Sequence, residues 1–202
     1  MANYKTSRII PTILTIVIII VAIAGIVALA RLLFAGLGSS TETPAVVDVS
    51  RQNLLDTKDG RAVSMTVRGP IVADEDFRSY QVTISPEKRT FEAFTGYLDK
   101  TTDHQSLTNN TAAYAQFVNA LDKANLTVGT PFEGDKNNVL GICATGRVIE
   151  FNLLKDGKSE EMLWTSTCSG SKGSLRASAD QLRELFLSQI PNGSRITQSL
   201  KL

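Results

Sequence analysis

Residues 148–166, VIEFNLLKDGKSEEMLWTS, decide the fold of the C-terminal part of this chain. From Ile149 to Leu153 every second side chain is apolar, which is the period-two pattern of a half-buried strand. Asp156-Gly157 is a favoured two-residue hairpin turn, and a partly apolar return strand follows it. A two-residue turn places Ile149 opposite Trp164 on the same face of the sheet. The stretch therefore predicts an antiparallel β-hairpin with one buried face.

Three further strands are predicted upstream of this hairpin. Val63–Val67 and Tyr80–Ile84 both alternate apolar and polar side chains, so each is expected to be half-buried. Gly69-Pro70 ends the first of them. The turn Pro86–Arg89 then leads from the second strand into a third over Thr90–Tyr97, which makes these two a hairpin.

Two amphipathic helices are predicted, one after each set of strands. Thr108, Asn109 and Asn110 supply N-cap candidates for the first helix. A capping box formed by Ser178 and Gln181 begins the second. The apolar positions at helical spacing, expected to pack on one sheet face with Ile149, Phe151 and Trp164, are Tyr114, Phe117, Val118, Leu121, Leu182, Leu185 and Phe186.

The order β-β-β-α-β-β-α predicts an α+β domain over residues 46–202, with two helices packed on an antiparallel sheet. Only the stretch Val46–Asp56 is left without an assigned secondary structure. Eighteen of the 21 basic residues and all 20 acidic residues follow Gly38, so this part of the chain has a net charge of −2. Nucleic acid and anionic lipid surfaces select basic proteins, so no nucleic-acid partner is expected.

The segment Ile9–Ala30 is apolar and carries no charge. About 22 residues at about 1.5 Å each span roughly 33 Å, which is enough to cross a hydrocarbon core of about 30 Å. Lys5 and Arg8 precede it, and the positive-inside rule then places the N-terminus in the cytoplasm. The lipid bilayer is thus an expected partner. The predicted organisation is a cytoplasmic tail (1–8), a single transmembrane helix with its interface (9–37), a linker (38–45) and a domain outside the cytoplasm (46–202).

A cleaved signal peptide is the alternative interpretation of this segment. Its apolar region usually has about 7–15 residues and ends at a small-residue cleavage site. The apolar region here is longer, and Ala35–Gly38 is a poor cleavage site. Both interpretations export the C-terminal domain, and the uncleaved anchor holds it at the cell membrane.

The chain has two cysteines, Cys143 and Cys168, predicted on the two arms of the hairpin. An exported domain is oxidised when two cysteines meet, so a disulfide between them is expected. A metal site needs more ligands than these two residues and the distant His104. The spacing is also not the C-x-x-C of redox enzymes. No metal and no cofactor are therefore expected.

The segment Ser169–Arg176 is the candidate ligand site. It combines hydroxyls and glycines with two cations and leads towards a helix start, where free amides favour an anionic group. A flexible connector is the alternative interpretation. Ser169 and Lys172 also match the S-x-x-K pattern of acyl-enzymes, but the glycines oppose the helix that this pattern needs. No residue is assigned as catalytic. The candidate ligand residues are Ser169, Ser171, Lys172, Ser174 and Arg176.

Two stretches, VRGPIVADEDFRSYQVTISP (67–86) and LWTSTCSGSKGSL (163–175), resemble uncharacterised single-pass exported proteins of small, reduced-genome bacteria. The resemblance implies a place in the cell envelope and no particular activity. The first hypothesis is a non-enzymatic binding or assembly protein whose partner is an envelope protein or a cell-wall component. The alternatives are an envelope hydrolase or transferase using a hydroxyl of Ser169, Ser171 or Ser174, and a sensor of small anions using the same segment.

Overall fold

The computed structural model of the protein describes residues 48–200 and residue 202. The predicted cytoplasmic tail (1–8), transmembrane segment (9–37) and linker (38–45) lie outside these residues. Within the described part of the chain, no helix has the length and apolar character needed to cross a membrane.

The described residues form six strands and four α-helices. The strands are β1 (Arg61–Arg68), β2 (Arg78–Ile84), β3 (Lys88–Thr95), β4 (Lys100–Thr108), β5 (Val148–Lys155) and β6 (Lys158–Ser166). The helices are α1 (Val49–Leu55), α2 (Thr111–Lys123), α3 (Ala179–Leu187) and α4 (Gly193–Ser199), with a short 3-10 helix at Gly134–Asn137. All strand pairs are antiparallel, and the strands lie in the order β4-β3-β2-β1-β5-β6. The predicted α+β class with an antiparallel sheet is thereby confirmed.

The structure adds three elements to the predicted order. Strand β4 has the sequence KTTDHQSLT, and seven of its nine residues are exposed. It lies at the edge of the sheet and needs no alternation of apolar side chains, so no period-two pattern marks it as a strand. Helix α1 lies within the stretch 46–56, for which the sequence predicts no definite secondary structure. Helix α4 begins at Gly193, within the Pro191–Gly193 stretch that the sequence predicts only as the end of α3.

The core lies between the helices and one face of the sheet. All four predicted apolar residues of α2 are buried, as are Leu182 and Phe186 of α3, whereas Leu185 is only partly buried. The ring of Phe186 contacts the rings of Phe117 and Phe151 at centroid distances of 5.2 and 5.9 Å. Aromatic contacts of this kind link both helices to β5. The predicted packing of the two helices on the sheet is confirmed for these residues.

The register of the β5-β6 hairpin differs from the prediction by one residue. The turn Asp156-Gly157 is present, but a β-bulge lies next to Leu153, so Ile149 pairs with Thr165 and Trp164 pairs with Glu150. A one-residue shift turns every side chain of the strand to the opposite face. Trp164 therefore does not join the helix-side core as predicted. It packs on the other face of the sheet, in a second cluster with Val139, Cys143 and Val148.

Cys143 and Cys168 form the predicted disulfide, with their Cα atoms 5.6 Å apart. Neither cysteine lies on a hairpin arm, contrary to the prediction. Cys143 belongs to the loop before β5, and Cys168 lies two residues after the end of β6. The disulfide therefore joins the two chain segments that enter and leave the hairpin, on the face of the sheet opposite the helices.

Candidate functional site

The predicted ligand segment Ser169–Arg176 connects β6 to α3 and is held by hydrogen bonds. The Ser166 hydroxyl donates to the Ser171 carbonyl at 2.5 Å, and the Thr165 hydroxyl donates to the Lys172 carbonyl at 3.1 Å. The Ser171 hydroxyl donates to the Ile142 carbonyl at 3.3 Å. These bonds fix the segment against β6 and against the loop before β5. It is thus an ordered connector.

A shallow cavity of about 480 Å³ lies over this segment. Ser171, Lys172 and Arg176 line it, together with Trp164 and the neighbouring Phe132 and Ile142. The structure thus brings together three of the five predicted ligand residues. The other two do not line this cavity. Ser169 is exposed, and Ser174 is fully buried with its hydroxyl accepting a hydrogen bond from the Trp164 amide at 3.1 Å.

The start of α3 does not contribute to this cavity. Ser178 is the N-cap of α3, and its side chain accepts from the Gln181 amide, so the free amides of the helix begin beyond Arg176. The chain from Ser169 to Ser178 contains no helix, which removes the geometry that an S-x-x-K nucleophile needs. No histidine or carboxylate lines the cavity, so no general base stands beside Ser171. The groups that could bind a ligand in this cavity are therefore the exposed cations Lys172 and Arg176, beside the aromatic rings of Phe132 and Trp164.

A second surface, which the sequence did not single out, lies where three loops meet at one end of the sheet. Five large apolar side chains are exposed there, and we call them the apolar end. They are Ile71 (46% exposed), Val72 (41%), Tyr97 (48%), Leu98 (96%) and Leu140 (71%). Ile71, Tyr97 and Leu140 border one cavity of about 360 Å³, whose floor and walls include Phe77, Val139, Ile142 and Val148. A cavity of this size and character falls in the range of ligand and side-chain binding pockets, about 300–1,000 Å³.

Contacts between loops hold the apolar end in place. The Tyr97 hydroxyl donates to the Val72 carbonyl at 2.5 Å and accepts from the Val72 amide at 3.1 Å. The Tyr97 ring stacks on Phe77 with centroids 4.4 Å apart. The Ile71 amide donates to the Ala144 carbonyl at 2.9 Å, which joins the β1-β2 loop to the loop before β5. The exposed apolar groups are therefore presented on a fixed frame and do not lie on loose chain.

The surroundings of the apolar end are acidic. Asp74 accepts a hydrogen bond from the Tyr97 amide at 2.7 Å, and Glu75 and Asp76 follow it as exposed residues. Asp99 lies at the β3-β4 turn, 3.7 Å from the Arg68 guanidinium. Arg68 lines the cavity and is bound by the buried Glu150 at 2.8 Å, so its charge is already balanced. Four exposed carboxylates thus lie beside the apolar end, and the cation that lines its cavity is paired.

The apolar end has a weak signal in the sequence that explains why it was missed. Ile71-Val72 follows Gly69-Pro70 and precedes the acidic run at Asp74, and Tyr97-Leu98 occupies a tight turn. Turns favour small and polar residues, so apolar pairs at both places are unusual. Only the fold shows that the two pairs are neighbours.

No group of three or more histidine, cysteine or acidic side chains suited to a metal ion occurs among residues 48–200 and 202. Compared with known proteins, the chain matches no protein-family model, no curated protein and no solved structure. Inferences about its function therefore rest on the two surfaces just described.

Proposed function

We propose that residues 46–202 are a non-enzymatic binding domain, held at the outer face of the cell membrane by Ile9–Ala30, that docks a partner protein of the envelope through the apolar end. The observation that carries the proposal is the group of five exposed apolar side chains, three of which border a preformed cavity. Clustered exposed apolar groups of this kind mark interaction sites on soluble domains. The disulfide supports the location outside the cytoplasm, because such bonds form and persist in oxidising compartments.

The chemistry of the surface selects the kind of partner. Each large apolar side chain that becomes fully buried contributes roughly 1.5–3 kcal/mol, so three or four of them sustain a specific contact. The exposed carboxylates Asp74, Glu75, Asp76 and Asp99 favour basic residues beside the apolar anchors of the partner. An anionic membrane surface would be repelled by the same carboxylates. A polysaccharide usually stacks on several exposed aromatic rings, and Tyr97 is the one aromatic residue among the five exposed side chains.

A peptide-display selection on the immobilised full-length protein tests this proposal. We expect enriched sequences with apolar residues flanked by lysine or arginine. The double substitution Ile71→Asp with Leu140→Asp should abolish their binding. Val128→Asp is the matched control, because Val128 is also an apolar residue with 49% exposure but lies outside the cavity. Peptides without basic residues, or binding that survives the double substitution, would contradict the proposal. Binding to anionic vesicles in place of peptides would make the partner a membrane.

The topology part of the proposal has a separate test. With Lys5 and Arg8 inside and everything after Gly38 outside, protease added to intact cells or spheroplasts should digest the domain and leave the membrane anchor. Full protection of the domain would overturn the topology. It would leave the chemistry of the apolar end as a separate question.

A second function is favoured by one specific observation, the cavity that Lys172 and Arg176 share with Trp164. We propose it as a secondary site for an anionic group, since charge-assisted hydrogen bonds from the two cations contribute about 1.5–3 kcal/mol each when partly desolvated. The absence of a base among its lining residues gives the hydrolase or transferase alternative no support. This site and the apolar end lie on loops that the Cys143–Cys168 disulfide joins.

A further inference from the structure

A small polar cleft of about 150 Å³ lies on the helix side of the sheet. It shares no lining residue with the cavity of the apolar end or with the cavity over Ser169–Arg176. Strand β2, the residue just before β5 and the helices α3 and α4 each contribute polar side chains to it. These side chains are Tyr80, Arg147, Arg183, Glu184, Ser194, Thr197 and Gln198.

Tyr80 is the most unusual member of this group. Its side chain is 1% exposed, and its hydroxyl has no hydrogen-bond partner within the described residues. The nearby Arg183 guanidinium can only donate hydrogen bonds, so it offers the Tyr80 hydroxyl no acceptor. Burial raises the pKa of the Tyr80 phenol to about 12, so the hydroxyl keeps its proton and can donate it. A buried hydroxyl normally has a hydrogen-bond partner. One without a partner is costly, and a bound group that accepts its hydrogen bond removes that cost.

The two arginines of the cleft also have N–H groups without hydrogen-bond partners in the described part of the chain. Arg147 makes no ion pair and no side-chain hydrogen bond in the part of the chain that the structure describes. The Nε of Arg183 is buried without a hydrogen-bond partner there. The carboxylates facing Arg183 are Glu184, at 3.3 Å from a terminal nitrogen, and Asp180, at 3.9 Å from Nε and 90% exposed. Asp180 is too far for a hydrogen bond, and Glu184 lines the cleft but accepts only from a terminal nitrogen of Arg183. The Tyr80 hydroxyl and the Arg183 Nε are therefore left without an acceptor among the described residues.

We propose that this cleft binds a small oxyanion, a phosphate or carboxylate group, between Tyr80, Arg147 and Arg183. The oxygen atoms of an oxyanion only accept hydrogen bonds. Such a group can therefore pair with the Tyr80 hydroxyl and with the guanidinium N–H groups that have no partner. The volume fits such a group, because it is several times the roughly 30 Å³ of one water and below the roughly 300 Å³ of a drug-sized pocket. The two guanidinium groups supply the positive charge, and the phenol supplies a neutral, directional donor.

Titration of the full-length protein with inorganic phosphate and, separately, with acetate tests the proposal. Ionic strength is held constant with chloride, and binding is followed by calorimetry and by the melting temperature. We expect saturable binding of at least one of the two anions, with a rise in melting temperature. Tyr80→Phe keeps the buried ring and removes only the hydroxyl, so it should weaken binding by about tenfold or more. Arg183→Gln should weaken binding at least as much.

Arg195→Ala is the matched control, because Arg195 is an exposed cation on α4 that does not line the cleft. It should leave anion affinity unchanged. Without anion, Tyr80→Phe should be neutral or stabilising, since it removes an unpaired buried hydroxyl. The proposal is overturned if neither anion binds, or if Tyr80→Phe binds the anion as tightly as the unmodified protein. A large destabilisation by Tyr80→Phe in anion-free buffer would also overturn it, because the hydroxyl would then have a partner of its own.

Discussion

The Cys143–Cys168 disulfide encloses the whole β5-β6 hairpin within a loop of 25 residues. Replacing both cysteines, Cys143→Ala with Cys168→Ala, removes this cross-link and allows the unfolded chain to expand. On the chain-entropy relation, a loop of this length corresponds to about 3.5 kcal/mol at 25 °C. We therefore expect the free energy of unfolding to fall by about 3.5 kcal/mol, a large part of the total stability of a domain this size.

Urea denaturation followed by tryptophan fluorescence measures this loss. Trp164 is the single tryptophan of the chain and lies in the same buried cluster as Cys143, so its emission reports directly on the region that the disulfide constrains. The unmodified protein treated with a reducing agent is the internal control. Its midpoint should move to that of the double variant, while the double variant should not respond to the reducing agent.

Two results would refute this reasoning. A loss below about 1 kcal/mol would mean that the loops are already constrained by their packing and that the cross-link adds little. A reduced protein much more stable than the double variant would mean that the alanine substitutions act through lost packing of the sulfur atoms. In that case the loop-closure argument would not explain the stability.

Three further predictions concern the core, one ion pair and the Ser169–Arg176 segment. Phe117→Ala should lower the free energy of unfolding by roughly 3–5 kcal/mol in urea denaturation, because the ring is buried against Phe186; a loss below about 1 kcal/mol would contradict that burial. The Arg51 guanidinium, bound to Asp122 at 2.7 and 2.8 Å, lowers the pKa of that carboxyl. Asp122→Asn should therefore reduce stability above about pH 4, the unfolded pKa of aspartate, and the difference should vanish as pH falls through the lowered folded pKa; a pH-independent difference would contradict the ion pair. Lys172→Ala combined with R176A should reduce binding of anionic ligands at the secondary site while leaving the melting temperature nearly unchanged, and unchanged binding would remove that site.

Local sequence patterns predicted most of the fold because the predicted strands and helices carry their apolar core residues at the regular spacing of a single face. Tyr114 and Phe117 recur at helical spacing, and Val63 and Met65 alternate along a strand. Buried positions in these elements therefore appear in the sequence as a regular pattern of apolar residues. Strand β4 has no such pattern, since both of its faces are largely exposed. Its place at the edge of the sheet is decided by pairing with β3, which is a property of the whole fold.

The placement of Trp164 shows how far a small local feature can change a prediction. The turn at Asp156-Gly157 was correct, but the bulge beside Leu153 adds one residue to β6 and reverses the faces of the strand beyond it. No residue in the stretch demands a bulge. As a result, Leu163 enters the helix-side core and Trp164 joins the disulfide on the opposite face.

The candidate sites were less predictable than the fold for a related reason. Lys172 and Arg176 are near neighbours in the sequence, so a shared cavity could be expected from the segment alone. The apolar end combines Ile71, Tyr97 and Leu140 from three separate loops, and the polar cleft combines Tyr80 with Arg183 from a strand and a distant helix. Surfaces assembled from distant parts of a chain become visible only when the fold is known.

The central claim, that the apolar end docks a partner protein, is tested most directly by photo-crosslinking in native envelope membranes. A photoreactive amino acid is placed at Leu140 in the full-length protein, with the same substitution at Val128, an exposed apolar residue outside the cavity, as the control. The account predicts a discrete protein adduct from position 140 that disappears when Ile71→Asp is added, and no such adduct from position 128. Equal adducts from both positions, crosslinks to lipid alone, or an adduct that persists with Ile71→Asp would contradict it.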